Sequence, residues 1–145
     1  MNDNRMGVLL VDDEEKTLKY FDKVYSKFFP VFCARNVEEA KQVLKDSSDK
    51  IGVLITDQRM PGEKGTDLLA YTKATYPEIV RILTTAFSDI NEAAKAVNQG
   101  EIYRYILKPW DLDEVKNQLL KSLEHFTYNR ERDRLINEKL SVKEE

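Results

Sequence analysis

The chain has few of the residues on which several common protein classes depend. Its single cysteine, Cys33, excludes an internal disulfide and a cysteine-based zinc cluster. Its 23 basic residues do not outnumber its 26 acidic residues, and the net charge of −3 gives no support to direct nucleic-acid binding. The sequence also lacks an apolar run of membrane-spanning length and an N-terminal signal peptide. We therefore expect a cytoplasmic protein that does not insert into a membrane.

Five short apolar runs alternate with longer amphipathic stretches. The runs, which we predict to be strands, cover residues 7–11, 31–34, 51–56, 79–83 and 102–107. Between them, apolar side chains recur three or four residues apart, which is the spacing of one helical face. Asn36 with Glu39, and Asp111 with Glu114, have the spacing of a helix N-cap. Strict strand–helix alternation over 145 residues predicts one α/β domain with a parallel sheet and helices on both faces.

Polar residues stand at or near the ends of four of these runs. Asp12 and Asp13 follow the first run, Asp57 follows the third, Thr85 the fourth and Lys108 the fifth. The carboxyl ends of the strands form the ligand-binding edge of an open α/β sheet, so we expect these side chains to converge there. Adjacent carboxylates repel each other unless a cation lies between them, and Mg²⁺ commonly binds carboxylates together with phosphate oxygens.

This set of residues predicts transfer of a phosphoryl group to an aspartate. Asp57 is the expected nucleophile, because a carboxylate can attack phosphorus when a metal screens the approaching negative charges. Lys108 would neutralise the phosphoryl oxygens, and Thr85 would donate a hydrogen bond to them. Each residue alone has a simpler interpretation. The acidic pair could be a helix start, Asp57 a turn or cap residue, Lys108 a surface lysine and Thr85 an ordinary strand residue.

Four sequence segments occur in the order typical of one family. They are LLVDDE at residues 9–14, ITDQRMPGEKG at 55–65, LTTAFSD at 83–89 and IYRYILKPWD at 102–111. Over residues 6–124 the chain resembles the receiver domain of a two-component response regulator. The resemblance implies a flavodoxin-like, doubly wound sheet of five parallel strands in the order 2-1-3-4-5. The amino-acid sequences of these segments are most similar to those of receivers joined to phosphodiesterase, transcriptional-activator or other output domains.

The resemblance also implies a metal site and a phosphoryl donor. Mg²⁺ would be held by the carboxylates of Asp12, Asp13 and Asp57 and by the main-chain carbonyl of Arg59. The donor would be a sensor histidine kinase or a phosphotransfer protein. The domain would be a phosphorylated signalling component rather than an enzyme in the usual sense, since it would catalyse only its own phosphotransfer and a slow dephosphorylation.

A conformational switch is the third implication of the resemblance. Phosphorylation of Asp57 would draw Thr85 toward the phosphoryl oxygens beside Lys108, whose peptide bond to Pro109 would be cis. The ring of Tyr105 would then occupy the space that Thr85 vacates and change the face made by helix 4, strand 5 and helix 5. That face would control a covalently linked or separate output domain.

Three other classes of protein share part of this pattern. A haloacid-dehalogenase-type phosphatase would need a second aspartate two residues after its nucleophile, whereas Glu14 stands two residues after Asp12. A dinucleotide-binding domain would need a Gly-x-Gly-x-x-Gly motif after the first strand, and the sequence has none there. A pure interaction module would need no acidic pocket, and absence of magnesium-dependent phosphorylation would favour it.

His125, the only histidine, is predicted on the surface of helix 5, away from the pocket.

The fifth helix is predicted to continue well past the length that such a domain needs. We predict a receiver domain over residues 1–124 and a helical extension over residues 125–145. A heptad register in this helix has apolar residues at six of nine core positions, which suggests an imperfect coiled coil leading to a second protomer or an output domain. These positions are Leu112, Val115, Leu119, Ser122, Phe126, Asn129, Asp133, Ile136 and Leu140. The mixed charges at 130–134 fit a solvated helical linker equally well, so both interpretations stay open.

Overall fold

Five parallel strands form the central sheet of the computed structural model, which describes residues 5–144. They are β1 (Gly7–Val11), β2 (Val31–Ala34), β3 (Ile51–Asp57), β4 (Val80–Ala86) and β5 (Arg104–Lys108). Their order across the sheet is β2-β1-β3-β4-β5, and every neighbouring pair is parallel. The predicted flavodoxin-like, doubly wound arrangement is confirmed. Residues 1–4 and 145, which the predicted domain and extension include, lie outside the described residues.

Helices connect the strands. They are α1 (Glu15–Tyr25), α2 (Val37–Ser47), α3 (Gly65–Thr75), α4 (Ile90–Asn98) and α5 (Leu112–Glu144), with single 3-10 turns at Ser48–Lys50 and Phe87–Asp89. Between β3 and α3, Arg59–Met60 and Glu63–Lys64 form a short antiparallel hairpin. Within residues 5–144, no helix is both long enough and apolar enough to cross a membrane.

Both predicted helix caps are present. The side chain of Asn36 accepts a hydrogen bond from the Glu39 N–H at 2.8 Å, which caps α2. The side chain of Asp111 accepts one from the Glu114 N–H at 3.1 Å, which caps α5. Gly100 adopts a φ of +72° just after α4, as expected of a glycine that ends a helix. Local sequence signals therefore set the ends of several helices.

Each face of the sheet buries its own apolar cluster. Leu9 and Leu54 pack on one face with side chains from α2, α3 and α4. Leu10 and Ile55 pack on the other face with side chains from α1 and α5. Strands covered on both faces are apolar along their whole length, which is why β1 and β3 have continuous apolar sequences. Polar functional groups are consequently confined to the strand ends, where the helical cover stops.

Among the side chains of α5 that the structure describes, those that pack against the sheet lie in the first half of the helix. Leu119 and Phe126 are buried, and the Phe126 ring packs on Gly52, where an added Cβ would lie 3.1 Å from it. The Ser122 hydroxyl is also buried and donates to the Gln118 carbonyl at 2.7 Å. The exposed large apolar side chains further along the helix are Tyr128, Leu135, Ile136 and Leu140. The predicted heptad seam is therefore not one continuous surface, because its first half faces the domain's own sheet.

Candidate functional site

Three carboxylates meet at the carboxyl end of the sheet. Asp12 and Asp13 directly follow β1, and Asp57 is the last residue of the neighbouring strand β3. One oxygen from each carboxylate lies within 4.8 Å of the other two. Asp12 is fully buried, Asp57 is half-buried and Asp13 is exposed. The sequence placed these three residues at one edge, and the structure brings them together there.

Burial destabilises the charged form of the Asp12 carboxyl. It raises the pKa of the Asp12 carboxyl above its usual value, although the Glu14 N–H donates to Asp12 Oδ1 at 2.8 Å and the charge of Lys108 acts in the opposite direction. A buried carboxylate that its protein partners compensate only in part is stabilised by a nearby cation. Clustered carboxylate oxygens are the ligands that Mg²⁺ prefers. The donor set therefore fits the predicted ion.

Lys108 contributes a positive charge to the same edge. It is the last residue of β5, and its Nζ donates to Asp57 Oδ2 at 3.0 Å and to Asp12 Oδ2 at 3.4 Å. Burial alone would lower the pKa of Lys108, but the hydrogen bonds and charges of Asp57 and Asp12 outweigh it and raise the pKa overall. The Lys108–Pro109 peptide bond is cis, as predicted. Lys108 is thus held as a cation in contact with Asp57.

Thr85 and Tyr105 lie on the adjacent strands β4 and β5. Thr85 is buried near the end of β4, and within the described part of the chain its Oγ1 has no hydrogen-bond partner. Tyr105 is half-buried opposite Leu83 on β4 and packs against the apolar cluster on the α4 side of the sheet. A buried hydroxyl without a partner costs free energy, so Thr85 has an unused donor at this edge of the sheet.

Gln58 fixes the loop that follows Asp57. Its backbone N–H donates to Asp57 Oδ1 at 2.8 Å, and its carbonyl accepts from the Gly65 N–H at 2.9 Å. Its buried side chain accepts from the Thr66 N–H at 3.0 Å and donates to Glu92 Oε2 at 3.1 Å. The loop is consequently attached to the start of α3 and to α4 at the same time.

The absence of a side chain at Gly65 allows α3 to begin directly against Asp57. A Cβ at this position would lie 2.2 Å from the Asp57 carbonyl oxygen, far inside any tolerated contact. A larger residue would displace either the start of α3 or the end of β3. Close approach of the two backbones is therefore the reason for glycine here.

Arg59 forms a bidentate ion pair with Asp89, in the 3-10 turn before α4. Arg59 Nε donates to Asp89 Oδ2 at 2.7 Å, and Arg59 Nη2 donates to Asp89 Oδ1 at 2.6 Å. The hydrogen bond lowers the pKa of Asp89 and raises that of Arg59. The sequence predicted the main-chain carbonyl of Arg59 as a metal ligand, but it did not predict this ion pair. Asp89 and the side chain of Gln58 were missed, because spacing along the chain does not show which side chains meet across two loops.

Trp110 joins the Lys108 segment to β4. Its indole N–H donates to Thr84 Oγ1 at 2.8 Å, and its ring lies 6.1 Å from the ring of Phe21. Thr84 is also the residue that pairs with Asp57 in the sheet register. The segment that bears Lys108 is therefore held against the strand next to the carboxylates.

His125 lies away from this edge, as predicted. Its ring stacks on Tyr103 with centroids 4.4 Å apart, and its Nε2 lies 3.1 Å from Asn129 Nδ2. Tyr103 directly precedes β5, so the stack is at the opposite end of the strand from Lys108. His125 is half-buried rather than fully exposed, and its contacts account for it as a packing residue.

Comparison with known proteins gives one consistent result. A family model described as the response regulator receiver domain matches residues 8–120. The chain is 33% identical over 124 residues to the hydrogenase transcriptional regulatory protein HoxA of Cupriavidus necator, a match that covers 86% of this chain and 25% of HoxA. It therefore spans about a quarter of the length of the curated relatives it matches.

Two solved structures have the same fold. The signal receiver domain of an HD domain-containing protein from Pseudomonas fluorescens Pf-5 is 37% identical, with a TM-score of 0.79 and coverage of 91% of this chain and 96% of that chain. A chain described as adenylate cyclase from Rhodopirellula baltica is 27% identical, with a TM-score of 0.88 and coverage of 92% and 98%. Both matches include nearly the whole chain rather than the sheet alone.

Proposed function

The chain belongs to the response regulator receiver domain family, and from this premise we propose that it accepts a phosphoryl group on Asp57. The observation that supports the proposal most directly is the 3.0 Å contact between Lys108 Nζ and Asp57 Oδ2 inside a cluster of three carboxylates. Receiver domains of response regulators are signalling domains rather than classical enzymes. The reaction would therefore change the state of the domain rather than produce a released product.

The transfer requires one nucleophile and charge neutralisation around it. An oxygen of Asp57 attacks the phosphorus, and the bond between phosphorus and the donor's leaving group breaks with the electron pair remaining on that group. The product is an acyl phosphate, and a carboxylate nucleophile has no proton that must be removed first. Lys108 reduces the repulsion between Asp57 and the anionic oxygens of the donor. Thr85 donates its hydroxyl hydrogen to a phosphoryl oxygen.

We propose that Asp12, Asp13 and Asp57 hold Mg²⁺, with the main-chain carbonyl of Arg59 as a further ligand. When bound, the ion would screen the negative charges of the acceptor and the phosphoryl oxygens. Asp12 supports this assignment, because its burial is only partly compensated by the Glu14 N–H and by Lys108. Lys108, which contacts both Asp57 and Asp12, would bind an oxygen of the phosphoryl group.

The switch that we propose uses Thr85 and Tyr105. Thr85 would move toward the phosphoryl group, because its buried hydroxyl lacks a partner within residues 5–144 in the unphosphorylated protein. Tyr105 would turn into the vacated space, since it already packs against the same side of the sheet. The face formed by α4, β5 and α5 would change shape as a result and signal to an output domain or partner.

The proposed partners follow from the reaction and from the length of the relatives. A sensor histidine kinase or phosphotransfer protein would supply the phosphoryl group in the cytoplasm, and α5 would connect to a linked or separate output domain or to a second protomer. The proposed limits are a receiver domain over 1–124 and an extension over 125–145. Burial of Phe126 indicates that packing against the sheet reaches at least that residue.

Intact-mass analysis tests the acceptor assignment. Incubation with acetyl phosphate and Mg²⁺ should add one phosphoryl group to the full chain, and a chelator should prevent the addition. Asp57→Asn should abolish it, whereas Asp67→Asn, an exposed aspartate in the first turn of α3, should leave it intact. A mass increase that persists in Asp57→Asn would show that another residue is the acceptor.

A further inference from the structure

Two side-chain contacts join the loop after Asp57 to the start of α4, and the chemistry proposed above uses neither of them. Arg59 is bound by Asp89 through two hydrogen bonds of 2.7 and 2.6 Å. Gln58 Nε2 donates to Glu92 Oε2 at 3.1 Å. We refer to these two pairs as the loop–α4 contacts. They fix the start of the helix that belongs to the proposed output face.

The two members of the Arg59–Asp89 pair differ in exposure. The Asp89 side chain is 8% exposed and belongs to the 3-10 turn that leads into α4, so its position is coupled to that of the helix. The Arg59 side chain is 78% exposed. Its flexible stem allows the guanidinium to exchange one nearby anion for another. Arg59 is therefore the partner that can move.

A phosphoryl group on Asp57 would be a competing anion close to Arg59. Arg59 is two residues after Asp57, and the residue between them, Gln58, donates its N–H to Asp57 Oδ1 at 2.8 Å. The phosphoryl group would carry about two negative charges and three strong acceptor oxygens beside this loop, in place of the single charge of the Asp57 carboxylate. A guanidinium binds phosphate oxygens in the same bidentate geometry as a carboxylate. The Asp89 carboxylate, by comparison, carries only one negative charge.

We propose that Asp89 and the phosphoryl group on Asp57 compete for Arg59. In the unphosphorylated protein, Asp89 holds Arg59 and the start of α4 is fixed to the loop. After phosphorylation, Arg59 binds the phosphoryl oxygens and the start of α4 is released. Asp89 is a positioning residue that acts through Arg59. The inference rests on the proposed function, because it requires Asp57 as the acceptor, and it gives α4 a second connection to the site besides Thr85 and Tyr105.

Competition has a measurable consequence, because coupling between two sites is reciprocal. If the phosphoryl group must displace Asp89 from Arg59, removal of Asp89 should strengthen binding of a phosphoryl analogue. Couplings of this kind typically change an affinity about fivefold or more. The strengthening should require Arg59, since Asp89 has no other route to the acceptor in this proposal.

Beryllofluoride with Mg²⁺ is a suitable probe, and its affinity for the full chain can be measured by titration calorimetry. Asp89→Ala should bind it about fivefold or more tightly than the wild-type chain. Asp89→Ala in an Arg59→Ala background should show no gain over Arg59→Ala alone. The Asp89 side chain makes no capping bond to α4, so the substitution does not remove a helix cap. Lys95→Ala, at an exposed position on the same helix, is the matched control and should leave the affinity unchanged.

Amide hydrogen exchange gives a second measurement, and its comparison of the unliganded chains needs neither metal nor probe. Exchange across residues 87–98 should be faster in unliganded Asp89→Ala than in the wild-type chain, and beryllofluoride should raise it in the wild-type chain. An unchanged affinity in Asp89→Ala, or a gain that persists without Arg59, would overturn the competition alone. Failure of the wild-type chain to bind beryllofluoride at all would overturn the proposed function together with the competition.

Discussion

The indole N–H of Trp110 donates to the Thr84 hydroxyl at 2.8 Å, across the gap between the segment after β5 and the end of β4. Thr84 pairs with Asp57 in the sheet and precedes Thr85, whereas Trp110 follows Lys108 and Pro109. This single bond therefore links the two strands that supply the groups expected to bind the phosphoryl oxygens. It holds the Lys108 segment against β4.

Trp110→Phe should weaken both stability and phosphorylation. The substitution keeps an aromatic ring but removes the N–H, and it leaves the buried Thr84 hydroxyl without its donor. We expect a loss of about 1–2 kcal/mol in the free energy of unfolding, measured by urea denaturation. Phosphorylation by acetyl phosphate should be slower, because Lys108 is held less firmly. If Trp110→Phe combined with Thr84→Val cost as much as the sum of the two single variants, the bond would not be the cause.

Thr85→Val should weaken binding of the phosphoryl group without reducing the stability of the fold. Within the described residues the Thr85 hydroxyl is buried without a partner, so an isosteric apolar side chain should keep or raise the free energy of unfolding, by up to about 1 kcal/mol. Beryllofluoride affinity should nevertheless decrease about tenfold, because one hydrogen bond to the charged ligand is lost. Thr72→Val is the matched comparison, since its buried hydroxyl already donates to the Leu68 carbonyl at 2.8 Å and should cost stability when removed. A Thr85→Val chain as destabilised as Thr72→Val would contradict the expectation.

The sequence predicted most of the sheet because its signals are local. Each of the five apolar runs is a strand, and the residues that follow the strands meet at one edge because parallel strands end on the same side. Asn36 and Asp111 were identifiable as caps because each cap involves residues only three positions apart. Asp57 and Lys108 are 51 positions apart, yet their contact was predictable from the ends of their strands.

Contacts between loops could not be predicted in this way. Arg59 with Asp89 and Trp110 with Thr84 depend on the paths of two loops and on side-chain rotamers, which no periodic pattern encodes. The heptad register of α5 had a similar limit. The register correctly identified an apolar face of the helix. However, apolar residues that pack on the domain's own sheet, such as Phe126, have the same spacing along the helix as apolar residues that pack on a second chain.

Tyr25→Phe should reduce stability at neutral pH and have less effect as the pH rises. The buried Tyr25 hydroxyl donates to the Leu112 carbonyl at 2.8 Å, and its loss should cost about 1 kcal/mol in the free energy of unfolding. Burial raises the pKa of Tyr25 from 10.0 to about 12. The hydroxyl's contribution is thus complete below pH 10 and is lost as the pH rises through about 12, because ionisation then favours the unfolded chain.

Urea denaturation at a series of pH values tests this prediction. The difference between wild type and Tyr25→Phe should narrow above pH 10, whereas Tyr20→Phe, at an exposed position on the same helix, should cost little at every pH. A difference that stayed constant up to the alkaline limit of the native protein would mean that the Tyr25 hydroxyl does not ionise in the way described.

The outer half of α5 should associate weakly with a second copy of the chain. The apolar side chains between Tyr128 and Leu140 are exposed, and a polar helix without a packing partner is only marginally stable in water. Leu119 and Phe126 cannot contribute to the dimer, because both are buried against the domain's own sheet. The available contact is consequently short, which predicts a weak association that phosphorylation can control rather than a permanent coiled coil.

Sedimentation velocity with and without beryllofluoride tests this association. The full chain should form dimers at high concentration, and a chain that ends at Thr127 should remain monomeric while keeping Phe126 and its packing. Leu135→Ser with Ile136→Ser should abolish the dimer, because these exposed side chains supply much of the remaining apolar surface. Asn137→Ser, an exposed polar position on the same segment, should leave it unchanged. A full chain that stays monomeric in both states would show that the outer half of α5 is a linker only.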